Sequence, residues 1–147
     1  MATVRGGAKL DAALRELAAK VAVPATLRVG FLENARYPDG TPVAMIAAIN
    51  EYGKPPSQPP RPFMRNAIAK YSPEWPEAIA GLLKANDLDA VKALDLAGAA
   101  IAGQIRQSIV DLTSPALAES TIQRKGHSKP LVDTGHMLNS VDHEVKT

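Results

Sequence analysis

Leu27-Arg28-Val29-Gly30-Phe31 is followed by the turn Tyr37-Pro38-Asp39-Gly40. Next come Val43-Ala44-Met45-Ile46-Ala47-Ala48-Ile49-Asn50-Glu51-Tyr52-Gly53 and then Pro55-Pro56-Ser57-Gln58-Pro59-Pro60-Arg61-Pro62. The first piece alternates, with Leu27, Val29 and Phe31 on one side and Arg28 on the other, which predicts a half-buried strand over 26–32. Gly30 in its middle marks a place where another backbone comes close. Asp39-Gly40 is a strong turn dipeptide. Thr41 as N-cap and Pro42 at the first helical position open a small-residue helix to Tyr52, with Gly53 as its left-handed terminator. The five prolines of 54–62 predict a stiff, extended polyproline II arm. Strand, small-residue helix and rigid arm follow one another with no catalytic apparatus between them. Such parts suit a protein that fits against copies of itself or other proteins.

Working outward, residues 8–22 read as an amphipathic helix. Leu10, Leu14, Leu17 and Val21 recur at steps of three and four, and Pro24 ends the run. Beyond the arm, one helix spans 62–71 with Phe63, Met64, Ala67 and Ile68, and another starts at Ser72-Pro73 with Trp75, Ile79, Leu82 and Leu83. The longest helix is predicted near 88–112, striped by Val91, Leu94, Gly98, Ile101, Ile105 and Ile109. At roughly 1.5 Å per residue it would be about 40 Å long, more than this chain's own core requires, and so a spine shared with neighbours. Gly98 and Gly103 cost helix propensity, which points to close approach of a neighbour. Residues 113–130 form a second, irregular arm with a helical turn around 115–123. Leu131-Val132-Asp133-Thr134-Gly135 then enters a short helix, capped by Asp133 or Thr134, and a strand follows over 141–145. The fold class is α/β (α+β): a small, mainly antiparallel sheet packed by helices, in one domain spanning 1–147 with arms at 54–62 and 113–130.

Composition removes several function classes. At 147 residues the chain fits one domain. No run of some 18 apolar residues is present to span a membrane. Met1-Ala2-Thr3-Val4-Arg5-Gly6-Gly7 lacks the apolar block of a secretion signal. Without cysteine there are no disulfides or thiolate metal sites, which fits a cytoplasmic assembly. The net charge of +2, with both signs dispersed, does not by itself imply nucleic-acid binding, and scarce aromatics argue against a base-stacking platform.

Catalytic and metal motifs are equally sparse. There is no Gly-x-Gly-x-x-Gly, phosphate loop or His-Glu-x-x-His. His127, His136 and His143 lie near Asp133, Asp142 and Glu144 without a usual ligand spacing, and read as exposed polar residues. Ser140, His136 and Asp133 are the residue types of a hydrolytic triad, but a triad is defined by geometry. No enzyme activity and no cofactor is expected. The interface candidates are Pro59, Pro60, Arg61, Pro62, Phe63 and Arg65, with Arg124, Lys125 and Lys129 on a basic loop. Arg61 and Arg65 could grip a neighbour's carboxylate in bidentate fashion. Alternatively they are solvated arginines flanking a buried Phe63. Arg61, Arg65, Arg124, Lys125 and Lys129 would also serve a second reading, a small nucleic-acid-binding module, if they converged on one face.

Val29-Gly30-Phe31, Ala47-Ala48-Ile49-Asn50-Glu51-Tyr52-Gly53 and Pro60-Arg61-Pro62-Phe63-Met64-Arg65 form one set of motifs. Thr121-Ile122-x-Arg124-Lys125-Gly126 and Leu131-Val132-Asp133-Thr134-Gly135-x-Met137-Leu138-x-Ser140-Val141 form another. Together they resemble tailed-bacteriophage neck and tail-completion proteins, the virion morphogenesis proteins. The resemblance implies a small α/β subunit of a ring, expected to be hexameric, where the tail tube meets the head connector. It also implies a place in the virion, assembly in the host cytoplasm, and non-specific contact with DNA in a lumen. In the commoner arrangement of that family the Asp-Thr-Gly helix and its strand come first, whereas here Leu131–Val145 comes last. Tail terminator, head–tail joining protein and other tail component therefore all stay open.

Overall fold

An apolar stripe in the longest helix organises the fold, which a computed structural model describes for residues 6–126, 131 and 135–147. In chain order the elements begin with α1 (Gly7–Ala22), β1 (Thr26–Phe31), α2 (Val43–Tyr52) and α3 (Phe63–Tyr71). A single 3-10 turn (Ser72–Glu74) leads into α4 (Trp75–Ala85), α5 (Ala90–Asp111) and α6 (Glu119–Lys125). The chain closes with α7 (His136–Asn139) and β2 (Val141–Lys146). The protein is thus a mixed helix-and-sheet fold with an antiparallel sheet, as the sequence predicts.

β1 and β2 pair from Thr26 opposite Lys146 to Phe31 opposite Val141. Two strands alone are marginal in water, so the sheet depends on the helix packed across it. That helix is α5, and Gly98 is what lets it approach. A Cβ there would sit 2.5 Å from His143 Cδ2 and 2.7 Å from Leu27 Cδ1. The expected close approach at Gly98 is therefore real and internal. Around Gly103 nothing lies within 4 Å of the same construction.

The core joins Val43 and Ala47 of α2, Phe63 and Ala67 of α3, and Ile101, Ala102, Ile105 and Ile109 of α5 to Leu131, Met137 and Val141. Phe31 meets Phe63 edge-on at 6.0 Å between ring centres. Trp75 Nε1 donates to Gln104 Oε1 at 2.8 Å and fixes α4 against α5. The predicted stripe of α5 holds in its C-terminal half, but Val91 is exposed and Ala93 and Ala97 are buried in its place. Where the sheet crosses at Gly98, α5 makes contact through its smallest side chains. Because α5 packs against the sheet, α3 and α4 of its own chain, its length is largely used at home instead of forming a free spine.

Other local expectations are corrected. Helix α2 starts at Val43 with Pro42 as its N-cap, one residue later than predicted. Thr41 is not the cap: its N–H donates to Asp39 Oδ1 at 2.9 Å within the preceding turn. Gly30 has φ +148°, and a Cβ there would find only Met64 Cε at 3.8 Å. Backbone conformation, not a crowding backbone, accounts for the glycine. The cap expected at Asp133 or Thr134 lies outside the described residues.

Candidate functional site

The arm at 54–62 does not project. Gly53, at φ +79°, turns the chain so sharply that a Cβ would stand 2.8 Å from Gln58 O and Pro60 N. Lys54 and Gln58 then exchange backbone hydrogen bonds of 2.8 and 2.9 Å, and Ser57 Oγ donates to Lys54 O at 3.0 Å. Gln58 Nε2 reaches Asn50 Oδ1 at 2.7 Å, and the Arg61 N–H reaches Asn50 O at 2.7 Å. A closed turn clipped to the end of α2 replaces the extended polyproline arm. Hydrogen-bonding groups at Lys54, Ser57 and Gln58 between the prolines supply the partners that polyproline II would leave to water.

Behind the clip lies the polar centre of the molecule. Glu51, the only charged residue of α2, is 5% exposed. Its carboxylate accepts the N–H groups of Met64 at 2.9 Å and Arg65 at 3.2 Å, both in the first turn of α3. Arg65 Nε donates to the same carboxylate at 2.7 Å, and its Nη2 to Glu51 O at 2.9 Å. One side chain from the last turn of α2 therefore caps α3 and ties the two helices together. A carboxylate is favoured there because orphan N–H groups and the positive end of the helix dipole face it. The Arg65 guanidinium also lies 5.4 Å from the centre of the Tyr52 ring. Two motifs of the resemblance, Asn50-Glu51-Tyr52-Gly53 and Arg61-Pro62-Phe63-Met64-Arg65, are thus halves of one joint. Sequence reading missed Glu51. The available signal was a lone acid in an otherwise uncharged helix.

The predicted interface residues separate. Pro59 and Pro60 are exposed, Pro62 is half-buried and Phe63 belongs to the core. Arg61 is 6% exposed, with Nε donating to Pro115 O at 3.3 Å, and burial lowers its guanidinium below the ordinary arginine value. That bond ties the 54–62 turn to the start of the 113–130 segment within one chain. Arg65 keeps its side chain 57% exposed while it holds Glu51. Arg124 is exposed on α6, which lies a few residues beyond the helical turn expected around 115–123. The Lys125 side chain and all of Lys129 lie outside the described residues. Arg61 is therefore held inside the protein's own framework while Arg65 is engaged with Glu51 at the surface, and the two do not present a joint grip.

Ser140 and His136 do not form a nucleophile–base pair either. Ser140 Oγ donates to His136 O at 2.6 Å, and His136 Nε2 lies 2.7 Å from Arg36 O, while Asp133 is outside the described residues. His143 contacts Asp95 at 2.9 Å and Asp142 at 3.7 Å. Among the described residues no group of three or more His, Asp or Glu could hold a metal ion, and no helix is long and apolar enough to cross a membrane.

The largest unexplained feature is α1. Every residue from Gly6 to Pro24 is exposed, and the predicted stripe of Leu10, Leu14, Leu17 and Val21 is 44–62% accessible. Asp11 with Arg15 and Glu16 with Lys20 form ion pairs along the helix at 3.0 and 3.5 Å. Among the described residues the apolar side of this amphipathic helix stays accessible, with Leu17 lining an open cleft opposite Leu88. Compared with known proteins, the chain matches no family model, no curated protein and no solved structure.

Proposed function

We propose that this chain is a non-enzymatic structural subunit of a tailed-phage head–tail interface, which assembles into a ring that completes the tail and joins it to the head connector. The observation that carries the reading is the uncovered leucine stripe of α1, set on a body whose own core is complete without it. Exposed leucines at steps of three and four lose hydration cost only when another surface covers them. Ring subunits need such head-to-tail contacts. The motif resemblance supplies the phage setting, and its two best-formed motifs meet at the Glu51 joint, where they hold the body rigid for docking. Placement in the virion, with assembly in the host cytoplasm, belongs to this proposal.

Light scattering across concentrations, followed by electron microscopy, tests it. Rings of the chain, alone or on adding phage connector and tail-tube proteins, are the expected result. A chain that stays monomeric in every mixture refutes the reading. The nucleic-acid alternative draws less support, because Arg61 is buried and Arg65 is engaged with Glu51.

A further inference from the structure

One side of α1 looks onto its own chain. Ala13, Glu16, Leu17 and Lys20 share an open cleft of about 430 Å³ with Lys84, Asp87 and Leu88, at the corner between α4 and α5. Each wall of that cleft carries one leucine, one acid and one lysine. A second cleft, of about 460 Å³, sets Lys20 and Val23 beside Asp87, Asp89 and Val91, with Lys92 the one like charge. Lys20 and Asp87 line both clefts and so stand between them. That order puts Glu16 on the Lys84 side and Val23 on the Val91 side. Glu16 and Lys20 now pair with each other at 3.5 Å, while Lys84 and Asp87 have no ion-pair partner among the described residues.

The corner is held in an unusual shape. Asp87 and Leu88 have φ of 53° and 59°. Residues with a side chain rarely enter this left-handed region, least of all two in succession. Leu88 N–H donates to Leu83 O at 2.8 Å, and Asn86 Nδ2 to Leu82 O at 2.8 Å, which fastens the bend. Leu88 is not part of the core cluster, so core packing does not account for the conformation. What the bend achieves is a half-buried leucine on the cleft opposite Leu17. Strain kept at such a place points to a contact that uses it.

We infer that α1 is a hinged strap that closes on the α4–α5 corner of its own chain, bringing Leu17 to Leu88, Val23 to Val91, Glu16 to Lys84 and Lys20 to Asp87. Only Pro24 and Ala25 separate Val23, which caps α1, from β1. Two residues reach about 7 Å at most, so α1 meets this corner at an effective concentration that no second copy matches. A helix of 16 residues is marginal in water by itself, and closure holds it helical. Leu10, Leu14 and Val21 lie about a quarter turn around α1 from the closing face. They stay outward, and closure fixes the direction in which they point. The strap closes whether or not the chain forms rings.

Hydrogen exchange across residues 10–22, read by mass spectrometry, tests the closure. Wild-type α1 should exchange at least about tenfold more slowly than an unstructured chain, and equally so at low and high protein concentration. Lys84→Glu lies outside α1 yet should reduce that protection several-fold, and adding Glu16→Lys should restore it. Leu88→Gly removes the apolar contact and suits the left-handed backbone, so α1 should lose protection while α5 keeps its own. The chain has no cysteine, so Leu17→Cys/Leu88→Cys, oxidised in dilute solution, should link within one chain. An unprotected wild-type α1, or protection that neither Lys84→Glu nor Leu88→Gly changes, overturns the inference. Protection that appears only at high concentration, or a Leu17→Cys/Leu88→Cys bond that joins copies, assigns the contact to a second copy and overturns it as well.

Discussion

Replacing Glu51 with alanine removes one carboxylate and three of its contacts together: the N–H groups of Met64 and Arg65 and the Arg65 guanidinium. The two backbone bonds end on a buried anion, and hydrogen bonds to a charged group contribute about 1.5 kcal/mol or more each. The Arg65 pair adds less than about 1 kcal/mol, because its guanidinium is more than half exposed and screened by water. Glu51→Ala should therefore cost about 3–4 kcal/mol, and at roughly 2–4 °C per kcal/mol for a chain of this length Tm should fall by about 10 °C. Glu51→Gln keeps a neutral acceptor for the α3 N–H groups and should lose about half as much. Arg65→Ala should cost about 1 kcal/mol or less. Urea and thermal unfolding followed by circular dichroism measure all three. If Glu51→Ala changes stability by under about 1 kcal/mol, or Arg65→Ala costs as much as Glu51→Ala, the joint is not capped in the way the geometry indicates.

Further expectations concern the glycines and one turn. Gly98→Ala should destabilise by about 1–3 kcal/mol through overpacking against His143 and Leu27, whereas Gly103→Ala, facing open space, should stabilise by up to about 1 kcal/mol. Equal effects in urea melts would contradict the assigned packing. Gly53→Ala should lose about 1–3 kcal/mol or more, because φ +79° with ψ 173° is a region that only glycine occupies readily and its Cβ would also meet the Gln58 and Pro60 backbone. Native-state hydrogen exchange at Gln58 should then speed up. The backbone N–H of Thr41, and then its side chain, hold the Asp39 carboxyl below its ordinary value of 3.8. With the folded value depressed, the stabilisation is present above pH 3.8 and is lost as pH falls through the lower folded value. A carboxyl-carbon NMR titration of Asp39 with a midpoint at or above 3.8 would contradict that bond.

Local pattern carried much of the fold. The steps of three and four in residues 8–22 and 88–112, the alternation in 26–32 and the strand expected over 141–145 each gave an element within a residue or two of its observed place. Those signals work because helix and strand repeats are properties of a short stretch of backbone. The candidate site was less legible. Proline content suggested an outstretched arm, yet the turn at Gly53 and the bonds of Ser57 and Gln58 to Lys54 and Asn50 closed it. Arg61 and Arg65 looked alike, yet one is buried against Pro115 O and the other is tethered at Glu51.

From sequence alone came the elements, their types and the amphipathic character of α1 and α5. Which apolar stripe would be covered was decided only by tertiary structure: α5 meets the sheet at Gly98, while the leucine stripe of α1 stays exposed among the described residues. The physical reason is that periodicity marks a face as apolar, but the free energy of hiding that face depends on what geometry brings against it.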